Sequence, residues 1–299
     1  MSPDEPDHRG AVPAGHEDVT ADLGEVLDLA RDRSRAAGEM VRAGRRRGVD
    51  VASTKSSPVD VVTELDTASE RLIRDAIHAA RPQDGILGEE YGHEVGSSGL
   101  TWVVDPIDGT VNFLYGIPAY AVSIAAVAGD PGDPASWSVL VGSVHAPALR
   151  RTYWAARGRG AWRADDDSAA SRIAVRDPVP MAEALVATGF GYRRERRERQ
   201  GRVVAALLPQ VRDIRRAGAA SLDLCSVACG ELDAFYERGL KTWDLAAGEI
   251  IVREAGGVVT GLRGRPAGEG MTLAGAPGAV AELAGVLEQL GADEDDAPH

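Results

Sequence analysis

Apolar residues recur at helical spacing in two stretches near the start of the chain. The first stretch is formed by Val19, Leu23, Val26, Leu27, Ala30 and Ala37. The second is formed by Ala68, Leu72, Ile73, Ala76 and Ile77. Because side chains three and four positions apart share one face of a helix, both stretches predict amphipathic helices. Pro82, which cannot continue a helix, predicts the end of the second one.

Short apolar runs that follow these helices predict β-strands. They cover residues 86–87, 102–104, 121–127, 139–144 and 152–155. A segment rich in Pro, Gly and Asp, residues 130–134, predicts a turn between two of them. The second half predicts helices and strands in alternation: helices near 203–208, 222–228 and 245–255, strands at 234–236 and 258–260. The whole pattern predicts a layered α/β fold.

Both ends of the chain lack such periodicity. Residues 1–18 mix Pro, Gly, Asp and His, and residues 291–299 are acidic and polar. Neither segment can bury a core, so we predict two disordered tails. Residues 19–290 contain no internal repeat or long linker. They predict one functional unit, with an N-terminal half over about 19–162 and a C-terminal half over about 163–290.

Charge and composition narrow the possible partners. The net charge of −13 and the isoelectric point of about 5.0 argue against a nucleic-acid partner, which needs clustered Lys and Arg. No apolar run approaches the roughly 20 residues that cross a bilayer, and the start does not resemble a secretory signal. We therefore expect a cytoplasmic protein that binds no membrane. The two cysteines, Cys225 and Cys229, fit neither a zinc cluster nor a disulfide framework and predict buried apolar side chains.

The strongest chemical signal lies in residues 102–113, which read Trp-Val-Val-Asp-Pro-Ile-Asp-Gly-Thr-Val-Asn-Phe. We predict that a buried strand ends at Asp105 and that the next residue, a proline, turns the chain so that Asp108 approaches Asp105. Two carboxylates at close range repel unless a cation lies between them. Hard oxygen ligands without nearby His or Cys favour magnesium over zinc. The N–H groups of Gly109 and Thr110 follow, where they could seat a phosphate.

An isolated pair of aspartates could equally cap a turn or a helix. Two further acids favour the metal site. Glu89 follows the apolar run at 86–87, so it is expected at another strand end. Asp244 begins the predicted helix in the sequence Trp-Asp-Leu-Ala-Ala-Gly. Four acids in such places predict a carboxylate site for a divalent cation.

These segments resemble the signature motifs of the inositol monophosphatase family, within a superfamily of lithium-sensitive, magnesium-dependent phosphatases. The resemblance extends over residues 19–290. Its motifs cover residues 55–66, 88–90, 102–113, 218–221, 237 and 243–244. The resemblance implies an α/β/α/β/α sandwich of the inositol monophosphatase and fructose bisphosphatase type. It also implies a homodimer and two or three Mg²⁺ ions.

The family pattern further implies a set of metal ligands. Glu89, Asp105 and the carbonyl of Ile107 would bind one magnesium ion. Asp105, Asp108 and Asp244 would bind a second. A third, weaker site would use Glu89 and water. Paired metals of this kind acidify water and neutralise phosphoryl charge.

The resemblance also implies the reacting and substrate-binding residues. Asp66 and Thr110 match the pair that orients and deprotonates the attacking water, and Glu89 joins them as a catalytic residue. The substrate contacts implied are Asp108, Gly109, Thr110, the N–H group of Ala220, and Glu237. Lys55 matches a position near the metal site, although an exposed loop lysine would also explain it.

The function implied is hydrolysis of myo-inositol monophosphate to the alcohol and phosphate in a bacterial cytoplasm. Glu237 would repel a second phosphate, which favours monophosphates. Histidinol phosphate, whose amine Glu237 could attract, is the main alternative substrate. Fructose bisphosphate and phosphoadenosine phosphate also stay open. An alternative from another class is a non-catalytic regulatory binding protein that has kept the fold.

Overall fold

The computed structural model describes residues 22–46, 51–54, 61–166 and 168–294. The predicted tail at 1–18 and Lys55 lie outside these residues. The helices of the described part are α1 (Leu23–Arg45), α2 (Glu64–Ala80), α3 (Thr110–Tyr115), α4 (Arg194–Leu207), α5 (Ala220–Ala228), α6 (Thr242–Glu254) and α7 (Pro277–Gln289). None of the helices in this part of the chain is long and apolar enough to cross a membrane.

The strands of the described residues fall into three sheets. In the first half they are β1 (Val51–Thr54), β2 (Val61–Thr63), β3 (Gly85–Gly88), β4 (Gly92–Glu94), β5 (Leu100–Asp108), β6 (Ala121–Ala128), β7 (Ser138–Ala146), β8 (Arg151–Ala156) and β9 (Ala161–Asp165). Those that follow are β10 (Ser171–Ile173), β11 (Leu185–Thr188), β12 (Asp213–Arg215), β13 (Ala234–Glu237), β14 (Val258–Thr260) and β15 (Thr272–Gly275). Single-turn 3₁₀ helices lie at Met181–Glu183 and Leu208–Gln210.

The largest sheet has eight strands in the order β10-β9-β8-β7-β6-β5-β3-β4. Neighbouring strands within this sheet run antiparallel, except for β3 and β5, which run parallel. A second sheet has the order β12-β11-β13-β15-β14 and mixes parallel and antiparallel pairs. The strands β1 and β2 form a small antiparallel ribbon.

The helices and sheets alternate in five layers. Helices α1 and α2 cover one face of the eight-stranded sheet, and α5 and α6 cover its other face. The same α5 and α6 also contact the five-stranded sheet, whose far side packs against α4 and α7. Each layer buries an apolar face against the next, as sheets and amphipathic helices require. The predicted layered α/β architecture is therefore present.

Helices α1 and α2 form where the sequence predicts them. A capping residue and a periodic apolar face explain why α1 forms. Asp22 precedes α1, and its Oδ1 accepts the N–H of Gly24 at 2.7 Å, which satisfies one free donor of the first turn. Val26 and Ala30 on the apolar face of α1 are fully buried. Helix α2 ends at Ala80, before Pro82, as predicted.

Several predicted boundaries were wrong. The strand expected to end at Asp105 continues as β5 to Asp108, because a bulge lets the backbone keep pairing past the proline. The helix expected near 203–208 begins at Arg194, since its first turns are too polar to show an apolar period. Cys225 is buried as expected, whereas Cys229 is partly exposed at the end of α5.

The first residues of the predicted C-terminal tail are not disordered. Ala292 is buried against the core beneath α7, and Asp293 forms ion pairs with Arg263 and Arg265. Residues 291–294 are therefore packed on the protein, and the rest of the predicted tail lies outside the described residues. Arg199 and Arg238 add hydrogen bonds to the carbonyl oxygens of Gly291 and Glu294, at 2.7 and 2.9 Å, contacts that a sequence with few apolar residues does not announce.

Candidate metal centre

The bulge in β5 creates the centre of the site. Asp105 pairs with Ser123 of β6 and Asp108 pairs with Ala121, so a step of three residues on β5 matches a step of two on β6. The extra residue re-aims the side chains that follow it. The N–H of Ile107 donates to Asp105 Oδ1 at 3.0 Å, which fixes the first carboxylate against its own turn.

Asp244 approaches from the other half of the chain. It lies in the first turn of α6, where its Oδ2 accepts the N–H of Lys241 at 2.7 Å. One carboxylate oxygen from each of Asp105, Asp108 and Asp244 can be chosen so that all three lie within 4.8 Å of one another. Asp105 and Asp108 are buried, and Asp244 is partly exposed. The structure thus brings together three of the four predicted metal-binding carboxylates.

The electrostatics of this cluster require positive charge. Burial, followed by the proximity of Asp108 and Glu89, raises the pKa of Asp244 to about 8. Burial also raises the pKa of Asp108, against the opposing effect of hydrogen bonds from Ser221. Like charges that are held together in a low-dielectric site cannot all ionise at neutral pH unless a cation compensates them. The donor set consists of carboxylate oxygens, which fits a hard cation such as Mg²⁺.

Glu89 lies at the start of the loop between β3 and β4, and its N–H donates to the carbonyl of Val104 at 3.2 Å. Its side chain is not one of the three that meet within 4.8 Å. Its charge nevertheless raises the pKa of Asp244, so Glu89 lies within electrostatic reach of the cluster. Its role as a metal ligand stays a prediction.

Thr110 and Asp66 also meet, as predicted. Gly109 adopts a left-handed backbone with φ of 88°, a conformation that glycine reaches without strain, and Thr110 then begins α3. The Thr110 hydroxyl lies 3.3 Å from Asp66 Oδ1 and 3.1 Å from the carbonyl oxygen of Ile107, so it can donate to either. Asp66 is buried in the first turn of α2.

Helix α5 contacts the cluster through its first turn. The Asp108 Oδ2 atom accepts both the N–H of Ser221 at 2.8 Å and its hydroxyl at 2.5 Å. The backbone of Ala220, a predicted substrate contact, lies close enough to Asp108 to lower the pKa of that carboxyl. Sequence reasoning missed Ser221, although the motif 218–221 already marked the segment.

Glu237 is the last residue of β13, and Gly189 of the neighbouring strand end leaves room for it. A Cβ at Gly189 would lie 2.0 Å from Glu237 Oε2. Burial and the charges of Asp244, Asp223 and Asp108 raise the pKa of Glu237 well above its usual range. Burial and Asp108 likewise raise the pKa of Asp223 to about 8. Glu237 therefore faces the same acidic region as the metal-ligand candidates.

The residues that surround Asp223 and Glu237 include some that the sequence did not predict. Arg216 opposes the raised pKa of both Asp223 and Glu237, and its guanidinium lies 5.7 Å from the ring centroid of Phe190. A Cβ at Gly218 would lie 2.5 Å from Arg216 Nη1. Single positions within loops carry no periodic signal. Only the motif at residues 218–221 marked the neighbourhood of Arg216.

The fold and this cluster define a five-layered α/β protein with an all-oxygen candidate metal centre between its two halves. A family model described as the inositol monophosphatase family matches residues 22–293, and the chain belongs to that family. The predicted resemblance is thereby confirmed, and with it the sandwich fold.

Similar proteins carry two kinds of name. The inositol-1-monophosphatase SuhB of Mycobacterium tuberculosis H37Rv is 44% identical over 273 residues, which cover 89% of this chain and 90% of the relative. The Nus factor SuhB of Pasteurella multocida is 36% identical over 276 residues, covering 91% and 99%. The solved structure of Mycobacterium tuberculosis SuhB superimposes with a TM-score of 0.76 at 41% identity, covering 91% of this chain and 99% of that one.

Proposed function

We propose that this protein hydrolyses phosphate monoesters with the help of Mg²⁺, and that myo-inositol monophosphate is its substrate. One observation carries the proposal. Carboxylates from both halves of the chain, Asp105, Asp108 and Asp244, converge within 4.8 Å although their burial opposes ionisation. The name of the Mycobacterium tuberculosis relative supports the choice of substrate.

Two magnesium ions would be held by the residues that the family pattern implies. Glu89, Asp105 and the Ile107 carbonyl form one set, and Asp105, Asp108 and Asp244 form the other. A third, weaker ion would use Glu89 and water. When bound, the ions would neutralise the phosphoryl oxygens and acidify the attacking water.

Asp66 and Thr110 would handle the proton of the attacking water. The Thr110 hydroxyl can donate to Asp66 Oδ1, which leaves its oxygen free to accept from a water on the other side. The water oxygen then forms the bond to phosphorus while its proton passes to Thr110 and the Thr110 proton passes to Asp66. The bond from phosphorus to the ester oxygen breaks, and the alcohol leaves with a proton from solvent.

The phosphate would lie against the N–H groups of Gly109 and Thr110, next to the metal ligands in sequence. The inositol ring would lie on the side of α5 and β13. There Ala220 offers a backbone N–H, and Glu237 offers a carboxyl group to vicinal hydroxyls. Ser221 binds the Oδ2 atom of Asp108, and the Oδ1 atom would face the metal and the substrate.

A second candidate function is a binding role. The Pasteurella multocida relative is named a Nus factor, which motivates this alternative. A chain of that kind could keep this fold for binding rather than for catalysis. The crowded acids count against a purely binding role, because their burial costs stability that binding alone would not require. The net charge of −13 also disfavours direct contact with a phosphate backbone.

A phosphate-release assay tests both candidates. Purified protein would be given inositol 1-phosphate, histidinol phosphate and an alkyl phosphate, each with Mg²⁺ and with a chelator. We expect turnover with Mg²⁺ only, with inositol phosphate hydrolysed fastest. A faster rate on histidinol phosphate would replace the substrate, and no turnover on any ester would favour the binding role.

The variant Glu237→Gln sharpens the substrate assignment. Unpaired polar groups in a closed site cost about 1 to 3 kcal/mol each, so the alkyl ester should be about ten- to a hundredfold poorer in kcat/KM than inositol phosphate. In the variant this preference should shrink while alkyl phosphate hydrolysis stays nearly unchanged. Equal losses on both esters would show that Glu237 supports the structure of the site instead.

A further inference from the structure

The loop that carries Glu89 is a tight hairpin connection. Strands β3 and β4 are antiparallel, Gly88 pairs with Gly92, and only residues 89–91 lie between them. Gly92 has a positive φ of 71°, which suits a short hairpin loop. Three-residue loops have few internal hydrogen bonds of their own, so the direction of Glu89 depends on what holds the loop from outside.

A buried carboxylate on α2 provides that hold. Glu70 is fully buried, and its Oε2 accepts the N–H of Glu90 at 2.7 Å while its Oε1 accepts the N–H of Tyr91 at 3.2 Å. These are the two residues that follow Glu89. The Arg74 Nε–H donates to Glu70 Oε1 at 2.8 Å, so the negative charge is paired inside the protein.

Arg74 continues the contact to the second strand of the hairpin. Its guanidinium donates to the carbonyl of Gly92 at 2.5 Å and to the Glu94 carboxylate at 3.3 Å. Glu70 and Arg74 together hold the backbone from residue 90 to residue 92. Arg71 of the same helix contacts the loop only through the side chain of Tyr91, whose hydroxyl lies 2.9 Å from the Arg71 guanidinium.

Gly88 gives independent evidence that the carboxylate belongs in this place. A Cβ at Gly88 would lie 1.9 Å from Glu70 Oε1, so only glycine leaves room for the side chain. Its φ is not positive, which means that the glycine is required by the close approach of Glu70 and not by the backbone conformation.

The same face of α2 also contacts the bulged strand. Asp66, Ser69 and Glu70 are three and four positions apart and are all buried. The Ser69 hydroxyl donates to the carbonyl of Pro106 at 3.1 Å, between Asp105 and Asp108 in sequence. One helix face therefore contacts both chain segments that carry the candidate ligands of the first half.

We propose that Glu70 is a positioning residue that aims Glu89 at the metal centre by binding the two N–H groups after it. This proposal rests on the proposed function, since it assumes that Glu89 binds a divalent cation. Glu70 touches neither substrate nor metal. It fixes the loop so that Glu89 needs little reordering when the ion binds, as groups that orient metal ligands do.

The variant Glu70→Gln tests the idea with almost unchanged shape. A glutamine offers one acceptor oxygen and one NH₂ group where the glutamate offers two acceptors. Its NH₂ group must face either the N–H of Glu90 or the N–H groups of Tyr91 and Arg74. One side of the loop then loses its acceptor, and the orientation of Glu89 is fixed less firmly.

The readout is binding of Mn²⁺ alone, measured by titration calorimetry and by the electron paramagnetic resonance signal of the free ion. We expect Glu70→Gln to weaken one bound ion by about ten- to a hundredfold, because loss of an orienting partner has effects of that size. The Mg²⁺ concentration that gives half-maximal activity should rise clearly. The value of kcat at saturating Mg²⁺ should change much less.

Two further variants make the result specific. Glu94→Gln removes a partner of Arg74 on the exposed strand β4 without touching the loop N–H groups, and it should bind Mn²⁺ like the unaltered protein. Gly88→Ala should displace the Glu70 carboxylate by its added methyl group and reproduce the loss of affinity. Gly88→Ala decides the matter if Glu70→Gln does not fold, as judged by circular dichroism.

The outcomes separate this proposal from the proposed function. If the unaltered protein binds no Mn²⁺, the metal-dependent function itself fails. If it binds Mn²⁺ and both Glu70→Gln and Gly88→Ala bind with unchanged affinity, the function stands and the positioning role is overturned. A fall in melting temperature with unchanged Mn²⁺ affinity would likewise reduce Glu70 to a structural residue.

Discussion

Two groups of buried or partly buried carboxylates in this protein differ in the groups that surround them. Glu70 and Asp84 are enclosed by donors of the chain itself: Asp84 accepts from Trp102 Nε1 at 2.9 Å, from Ser98 Oγ at 2.6 Å and from Arg81. Asp105, Asp108 and Asp244 also accept hydrogen bonds from the chain, but one oxygen of each lies within 4.8 Å of the other two. Glu70 and Asp105 are almost equally buried, at 0% and 1% exposure. The partners, and not the burial, therefore separate structural acids from candidate metal ligands.

The largest effect expected from this difference is on catalysis. Asp105→Asn removes a charge and a shared ligand while keeping the shape of the side chain. Loss of one such charge-stabilising group costs about 2.7 to 4 kcal/mol of activation free energy, so kcat should fall by about a hundred- to a thousandfold. The metal-free protein should be at least as stable as before, because repulsion is relieved.

The measurement is turnover at saturating Mg²⁺ together with a melting curve in chelator. Near-normal turnover would remove Asp105 from its central role. A clearly lower melting temperature in chelator would mean that the cluster, like Glu70 and Asp84, is satisfied by the chain, and the contrast between the two groups would disappear.

The matching change in the structural group is Asp84→Asn. An amide can accept hydrogen bonds through only one of its two terminal atoms, so either Ser98 or the pair of Trp102 and Arg81 would face an NH₂ group. We expect a loss of about 3 kcal/mol in the free energy of unfolding, as for a broken buried charge pair. Urea unfolding measures it. Full stability with reduced turnover would place Asp84 in the functional group instead.

The sequence predicted the parts of the candidate site that have local chemical signals. The bulged segment with Asp105 and Asp108 could be found because a hydrophobic strand, a proline and two acids lie within a few residues. Asp244 could be assigned through its family motif. Ser221 and Arg216 could not, because their role depends on which loop the fold brings to Asp108 and Glu237.

The fold was predictable to a similar extent. The amphipathic α1 and α2 and the long apolar strands from β5 to β8 carry clear periods. Short strands such as β10 and β12 have only three residues and half-exposed faces, so they are formed by pairing within the sheet and leave no pattern in sequence. The same holds for Glu70: its charge suggests exposure, and only the packing of α2 on the hairpin reveals its burial.

A smaller effect is expected at a buried histidine that belongs to neither set of acids. His145 on β7 is buried, its Nδ1 lies 2.9 Å from Thr152 Oγ1, and burial lowers its pKa to about 4. An unfolded histidine titrates near 6.5, so between about pH 6.5 and 4 the unfolded chain binds more protons and stability falls as pH falls. The contribution is fully present above pH 6.5 and is lost towards pH 4.

His145→Gln should therefore flatten the pH profile of the unfolding free energy by about 2 kcal/mol between pH 7 and 4, a part of the limit set by the full pKa difference. Denaturant unfolding at several pH values measures it. His93, which is exposed on β4, gives a control in His93→Gln, whose profile should follow that of the unaltered protein. Parallel profiles for all three proteins would show that His145 keeps its ordinary titration.

The smallest effect is the stabilisation of the folded state by the metal, and it compares the two groups of acids directly. A ligand that binds only the folded protein stabilises it by RT ln(1 + [L]/Kd), which is about 1.4 kcal/mol at ten times Kd. Mg²⁺ should raise the melting temperature of the unaltered protein and of Asp84→Asn by similar amounts, because Asp84 already has its partners. It should raise that of Asp105→Asn much less. Na⁺ at equal ionic strength controls for screening. If Mg²⁺ stabilises Asp105→Asn as well as it stabilises the unaltered protein, the cation binds elsewhere and the cluster of Asp105, Asp108 and Asp244 is not its site.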